Sequence, residues 1–339
     1  MSLSAHVRTL GRGPGRSRSL TQEEAFDAMS SMLRGEADAE AVGALLMLLR
    51  MKGETALEIA GFAAAAQAHM PALPPVDLDW PSYAAGRTRG APWFLLAAKE
   101  VAQAGHRVLL HGWNGADAQV RDGLAVAGIG VGDCADEIAR LLDRDRIAYL
   151  PLERAHPALF RLLDLRRVFG LRSCVNTVCR MLNPGAASAS VQGVFHPSYR
   201  LLQADAAALL GLKGLTVIKG GGGEFERHPS KEIAAFGLRQ GRSWEVTFPA
   251  LCDETRRLSS DTARTWAHQT PTAFEAEIIT GTKALALDTL GIPDTAEQAA
   301  AGSAKCRAAA ALAWLNLTPG QRLANGNKID AYVEAYPCS

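Results

Sequence analysis

LTQEEAFDAMSSMLRGEADAEAVGALLMLLRMKGETALEIAGF (residues 20–62) reads as three short helices joined by tight connections. Thr21-x-x-Glu24 is a capping box, in which the hydroxyl and the carboxylate each satisfy a free backbone N–H at the helix start. Ala25, Phe26, Met29, Met32 and Leu33 follow at helical spacing, and Gly35 ends the helix. A second helix runs from Ala39 to about Met51 and stops near Gly53, and Thr55-x-x-Glu58 caps a third. Three short helices so connected must pack antiparallel or steeply crossed to bury their apolar faces. PALPP (Pro71 to Pro75) cannot continue a helix, so it reads as a linker or a crossing point.

Working outward, residues 1–18 carry Arg8, Arg12, Arg16 and Arg18, and no acidic residue precedes Glu23. They are expected to form a flexible basic tail. Downstream, short apolar strands alternate with helices. Strands are expected at Arg107–Leu110, Ile147–Leu150, Ser190–Phe195, Leu215–Ile218 and Trp244–Phe248. Helical patterns lie at Pro92–Ala104, Ala135–Leu142, Tyr199–Leu210 and Ala296–Leu317. Such alternation implies a largely parallel α/β sheet with helices on its faces. The expected organisation is a helical domain over residues 19–73, joined in space by part of about 153–185, and an α/β domain over 74–339.

The chain has 339 residues, 48% hydrophobic and 21% charged, which excludes a disordered or collagen-like polymer. The longest apolar run, Ala41 to Leu49, stops at Arg50 and falls short of the ~18 residues of a membrane span. Six cysteines are too few for a disulfide scaffold, so the cytoplasm is the expected compartment. A net charge of +1 excludes a globally basic nucleic-acid binder but leaves room for a local basic surface.

Four segments carry candidate chemistry. Lys219-Gly220-Gly221-Gly222-Gly223-Glu224-Phe225-Glu226 follows the strand LTVI, where glycine N–H groups can form an anion nest; the bland reading is a permissive loop. His111, in Leu110-His111-Gly112-Trp113-Asn114, lies at the same sheet edge, and a lone histidine is more often structural. Tyr83, Arg87 and Arg89 lie in a glycine-containing basic loop suited either to phosphates and base stacking or to plain solvation. Arg154, Arg161, Arg166, Arg167, Arg172 and Arg180 form a run opposed locally only by Asp164, a density that favours phosphate or carboxylate partners. No His and Cys set has zinc-ligand spacing.

Three ordered stretches resemble the anthranilate phosphoribosyltransferases: residues 20–62 above, IAYLPLERAHPALFRLLDLRRVFGLRSCVNTVCRMLNP (147–184), and VQGVFHPSYRLLQADAAALLGLKGLTVIKGGGGEFE (191–226). The resemblance implies a class III phosphoribosyltransferase, nucleoside phosphorylase-like fold: α/β with a smaller all-α domain. It also implies a homodimer through the helical domain and a site in the cleft between domains. His111, Arg172, Asn183, Pro184 and Glu226 carry over onto the family pattern. Other positions depart. The family's G-T-G-G-D loop becomes Pro81-Ser82-Tyr83-Ala84-Ala85, its K-H-G-N-R becomes Leu110-His111-Gly112-Trp113-Asn114, and the G-P before its N-P turn becomes Cys179-Arg180. Its acidic metal pair is placed at Phe225-Glu226, and a phenylalanine cannot ligate a hard cation.

DWPSYAAGRTRGAPWFLLAAK and KGGGGE resemble the divergent YbiB-type branch of the family, which implies nucleic-acid binding without anthranilate transfer. The leading expectation is therefore a homodimer that binds DNA or RNA phosphates through arginine-rich grooves, with no cofactor, metal or membrane. Its contacts would come from Tyr83, Arg87, Arg89, Trp113, Arg154, Arg161, Arg166, Arg167, Arg172, Arg180, Lys219, Gly220, Gly221, Gly222 and Lys231, with His111, Arg172 and Glu226 as catalytic remnants. The alternative is an active pentosyl or phosphoribosyl transferase acting on an unidentified base, with magnesium and phosphoribosyl pyrophosphate.

Overall fold

The computed structural model describes residues 3–13, 15–84, 90–114, 118–254 and 271–291. Four helices come first: α1 (Ser4–Gly11), α2 (Gln22–Leu33), α3 (Ala39–Lys52) and α4 (Ala56–Ala68). The α/β part follows as β1 (Leu78–Ser82), α5 (Phe94–Gln103), β2 (Val108–Gly112), α6 (Ala118–Ala127), α7 (Ala135–Asp145) and β3 (Ile147–Pro151). Then come α8 (Leu152–Ala155), α9 (Pro157–Asp164), α10 (Arg166–Phe169) and α11 (Val175–Arg180), all short. The chain continues through β4 (Ala189–Val194), α12 (Tyr199–Leu209), β5 (Gly214–Lys219), β6 (Ile233–Arg239), β7 (Arg242–Phe248) and α13 (Ala273–Leu290).

Both capping boxes form. Thr21 accepts from the Glu24 N–H and Thr55 from the Glu58 N–H, while each glutamate accepts in return from its threonine's N–H. Glu58 does more: its fully buried carboxylate also takes the Leu20 N–H at 2.9 Å and the Lys52 ammonium at 2.9 Å. Gly61 lets α2 and α4 touch, because a Cβ there would lie 2.2 Å from the Gln22 carbonyl oxygen. The helices α2–α4 share one apolar cluster with Leu159, Leu162, Val175 and Val178 from α9 and α11. The expectation of a flexible start is corrected: Ser4–Gly11 is helical, and Leu3 and Leu10 are buried in that same cluster. Apolar side chains one helical stretch apart outweigh the arginines between them.

The sheet has seven strands in the order β3-β2-β1-β4-β5-β6-β7. The first five are mutually parallel, and β6 and β7 are antiparallel. Alternation sorts the side chains by face. Leu78, Trp80, Val108, Leu110, Ala189 and Val191 join a core with residues of α5 and α13. The opposite face of β1, β2 and β4 carries Asp79, His111, Ser190 and Gln192, each about 1% exposed. Sequence patterning missed β1, β6, α6 and α13. In β1, LDWPS puts a proline and a buried aspartate where an apolar run is expected. The expected helix at 296–317 lies outside the described residues. Among the described residues no helix is long and apolar enough to cross a membrane.

His156 caps α9, its Nδ1 accepting from the Leu159 N–H at 3.3 Å. Burial, reinforced by nearby His69, holds its pKa below the usual 6.5. Because the folded value lies below the unfolded one, the buried neutral ring stabilises the fold above about pH 6.5, and that contribution is lost as pH falls through the lowered value. His156→Asn keeps a capping acceptor and removes the titration, so its melting temperature should drop less than the wild type's between about pH 7.5 and 5. Gly61→Val should destabilise by about 1–3 kcal/mol or more in urea unfolding, because α2 and α4 must separate to admit it.

Candidate active site

The carboxyl ends of β1, β2, β4 and β5 meet the glycine turn after β5, where parallel α/β sheets place their ligands. Gly193 on β4 has no room for a side chain: a Cβ would lie 2.0 Å from the Glu224 carbonyl carbon. Gly220 is tighter still, at 1.6 Å from the Glu224 carbonyl oxygen. Gly222 adopts a left-handed φ of 64°. Of the N–H groups in the expected anion nest, three are used within the turn itself. Gly221 donates to the Glu226 carbonyl, Gly223 to Gly220, and Glu224 to Gly221.

Glu224, which motif reading passed over, is the carboxylate that ties this corner together. Its Oε1 accepts from the Ser82 hydroxyl at 3.0 Å and the Ala84 N–H at 3.1 Å. Asn114 bonds the Ser82 hydroxyl at 3.0 Å and accepts from the Tyr149 hydroxyl at 3.0 Å. Phe225 is core, edge-on to Trp80 at 5.4 Å. Glu226 is also buried; its Oε2 accepts the Phe94 N–H and so serves the start of α5. The two positions aligned with the family's acidic metal pair, Phe225 and Glu226, are thus a core ring and a group that caps α5. The missed signal was one position away, at Glu224.

His111 stands in a buried polar chain. Its Nε2 lies 3.0 Å from Asp79 Oδ1, its Nδ1 lies 2.9 Å from the Tyr83 hydroxyl, and Asp79 Oδ2 accepts from Ser190. Tyr83 is 1% exposed, and burial pushes its hydroxyl well above the usual value. It cannot serve as a stacking face for a base, which corrects that expectation. Trp113 is half-buried, with the Arg166 guanidinium 5.1 Å over one face of its ring and Phe160 meeting it edge-on at 5.5 Å.

The arginine run does not form one groove. Arg154 pairs with Asp133 at 3.7 Å and Arg167 with Asp164 at 3.5 Å. Arg161 is exposed on α9, while Lys219 and Lys231 are exposed on other elements. Arg87 and Arg89 lie outside the described residues. Of the described arginines in the run, Arg172 and Arg180 line one cleft, of 420 Å³, together with Arg50; it is walled by Phe195, His196 and Tyr199 and touched by Gly222, and Arg166 stands close enough to act on Arg172. Arg180 is buried and its Nε donates to the Gly193 carbonyl at 3.1 Å, which fixes the guanidinium at the end of β4. Arg50 donates to the Arg172 carbonyl at 2.5 Å. Asn183 and Pro184 sit instead on a second cavity of 520 Å³, with Lys213 from just before β5.

Two domains of one family match this architecture. The helical bundle domain of the glycosyl transferase family covers residues 6–70, and the family's a/b domain covers 95–283. The chain belongs to this glycosyl transferase family. It is 33% identical over 242 residues to the anthranilate phosphoribosyltransferase of Roseiflexus sp. (strain RS-1), covering 68% of this chain and 70% of that one. It is 27% identical over 294 residues to that of Thermomicrobium roseum, covering 84% of each. Among solved structures, the anthranilate phosphoribosyltransferase of Thermus thermophilus superposes with a TM-score of 0.70 at 21% identity, over 98% of this chain and 99% of that one. The Saccharomyces cerevisiae protein in complex with PRPP and Mg superposes with a TM-score of 0.68 at 16% identity, over 98% and 97%. At those identities the structures speak for the fold.

These relatives overturn the nucleic-acid expectation. The proteins it resembles are named phosphoribosyltransferases, and the arginines meant for a groove are dispersed, paired or buried.

Glu224→Ala strands the Ser82 hydroxyl and the Ala84 N–H, and should cost about 1–3 kcal/mol in denaturant unfolding. Glu224→Gln retains an acceptor oxygen and should recover most of that loss in the same measurement.

Proposed function

We propose that this chain is a glycosyl transferase that moves a phosphoribosyl group from phosphoribosyl pyrophosphate to an acceptor nitrogen held in the arginine-lined cleft. The observation that carries this reading is the match of both family domains together with relatives named anthranilate phosphoribosyltransferases. The cleft adds support: it lies at the carboxyl ends of the parallel strands, and Arg180 of α11 and Arg172 of the loop before it are among the residues that line it. In the reaction, the bond from the anomeric carbon to its diphosphate breaks, a carbon–nitrogen bond forms, and pyrophosphate leaves together with the proton given up by the acceptor nitrogen. Arg172 and Arg180 bind the anionic acceptor.

The yeast relative is in complex with PRPP and Mg. The residues here do not fit a resident magnesium site. Phe225 is core, Glu226 Oε2 is bonded to a backbone N–H, and Glu224 Oε1 holds two protein donors. No group of three or more His, Cys, Asp or Glu among the described residues could hold a metal ion. We place the protein in the cytoplasm on the same reading, since Cys134, Cys174, Cys179 and Cys252 are free thiols.

The test is release of pyrophosphate from phosphoribosyl pyrophosphate by the pure protein, with anthranilate, substituted aminobenzoates and nucleobases as acceptors. Acceptor-dependent release is expected, and Arg172→Gln should raise KM for a carboxylate acceptor about tenfold or more. Absence of acceptor-dependent release across that panel overturns the reading.

A further inference from the structure

The 420 Å³ cleft has an unusual charge balance. Arg50, Arg172 and Arg180 line it with His196, and none of its described lining residues is Asp or Glu. The nearest carboxyls stand behind the wall. Glu54 accepts from the Tyr199 hydroxyl at 3.5 Å and is pushed toward its neutral form by burial. Glu224 is fully buried and held by Ser82 and Ala84. Arg180 is 5% exposed, and its Nε and Nη1 are spent on the Gly193 carbonyl and on Asn176. None of the described residues bonds its Nη2. Burial lowers the pKa of both Arg180 and Arg172; the buried Glu224 carboxylate offsets part of this at Arg180, while Arg172 lowers Arg180 further and Arg166 lowers Arg172. Like charges gathered this closely in a half-closed cleft repel one another, and an anion relieves that repulsion.

Two of these cations differ in kind. Arg172 is exposed, and its loop is held by Arg50 through the Arg172 carbonyl. Arg180 is rigid, anchored between α11 and β4. A rigid buried guanidinium reads an anionic oxygen at a set place, whereas an exposed one follows its partner. Phe195, 59% exposed, and Tyr199 offer apolar surface for a ring between them.

We propose that the cleft selects an aromatic acceptor bearing two anionic groups, one met by Arg172 and the other by Arg180. This deepens the transferase reading and rests on it for the word acceptor. A single carboxylate engages one of the two anchors; a second anionic group on the same ring engages both. The diphosphate of the donor carries the same chemistry, so the test separates the two sources.

The experiment is calorimetric titration of the full chain, at one ionic strength, with benzoate, benzene-1,3-dicarboxylate and inorganic pyrophosphate. The dicarboxylate should bind about tenfold or more tighter than benzoate, the increment of one further charge-assisted pair. Arg180→Gln should remove that preference by weakening the dicarboxylate about tenfold or more, while Arg154→Gln, outside the cleft, should change neither affinity. Arg180→Lys and Arg172→Gln carry the test if Arg180→Gln melts at a lower temperature. Equal affinity for the two ring acids, or no binding of either, overturns the proposal. Pyrophosphate that displaces the dicarboxylate and loses affinity in Arg180→Gln assigns the anchor to the donor and overturns it too. Turnover without dianion preference sinks this inference and leaves the transferase; dianion preference without turnover does the reverse.

Discussion

Backbone crossing at the carboxyl edge of the sheet is the constraint on which the rest depends. Gly193 and Gly220 admit the Glu224 peptide, and Gly112 admits the Ser82 carbonyl, which a Cβ on Gly112 would approach to 2.0 Å. No larger residue can stand at any of the three without moving a strand or the turn. This approach lets Phe225 fill the core against Trp80 and delivers the Glu224 carboxylate to the end of β1. It also puts Gly222 at the cleft wall. One set of close contacts thus serves packing on one side and the site on the other.

Beneath that edge, the sheet face toward the helical layer is polar where a core is ordinarily apolar. Asp79, His111, Ser190 and Gln192 are buried there, and Gln192 donates to the Arg180 carbonyl at 3.0 Å. Buried polar groups are costly unless partnered, so such a row holds its strands in one arrangement. Through Gln192 the row also supports the backbone of α11, whose last residue presents its guanidinium to the cleft. The position of Arg180 is therefore determined from two directions, by β4 through Gly193 and by the polar row.

Charge in this molecule is local. Thirty-six basic and 35 acidic residues nearly cancel over the chain, and most described arginines of the dense run find an acid, a ring or solvent. What remains is a concentration of guanidinium in one cleft, a scale suited to a small anion held at several points rather than to a polymer.

What the sequence alone determined is what short-range chemistry dictates. The capping boxes at Thr21 and Thr55, the strands around 108, 147, 190, 215 and 244, and the mixed α/β architecture follow from spacing within a few residues. What only the tertiary structure decided is whom each polar side chain meets. Tyr83 and Arg180 look like surface groups in sequence and are buried by contacts with residues about 28 and 13 positions away, His111 and Gly193. Arg8 and its neighbours suggest a solvated tail, yet Leu3 and Leu10 dock that segment on the helical layer. Glu224 and Glu226 are alike in the motif and part only when β1 and α5 arrive to claim one each. Periodicity records which face of an element is apolar. The partner of a buried charge is set by chain crossing, and no local pattern encodes that.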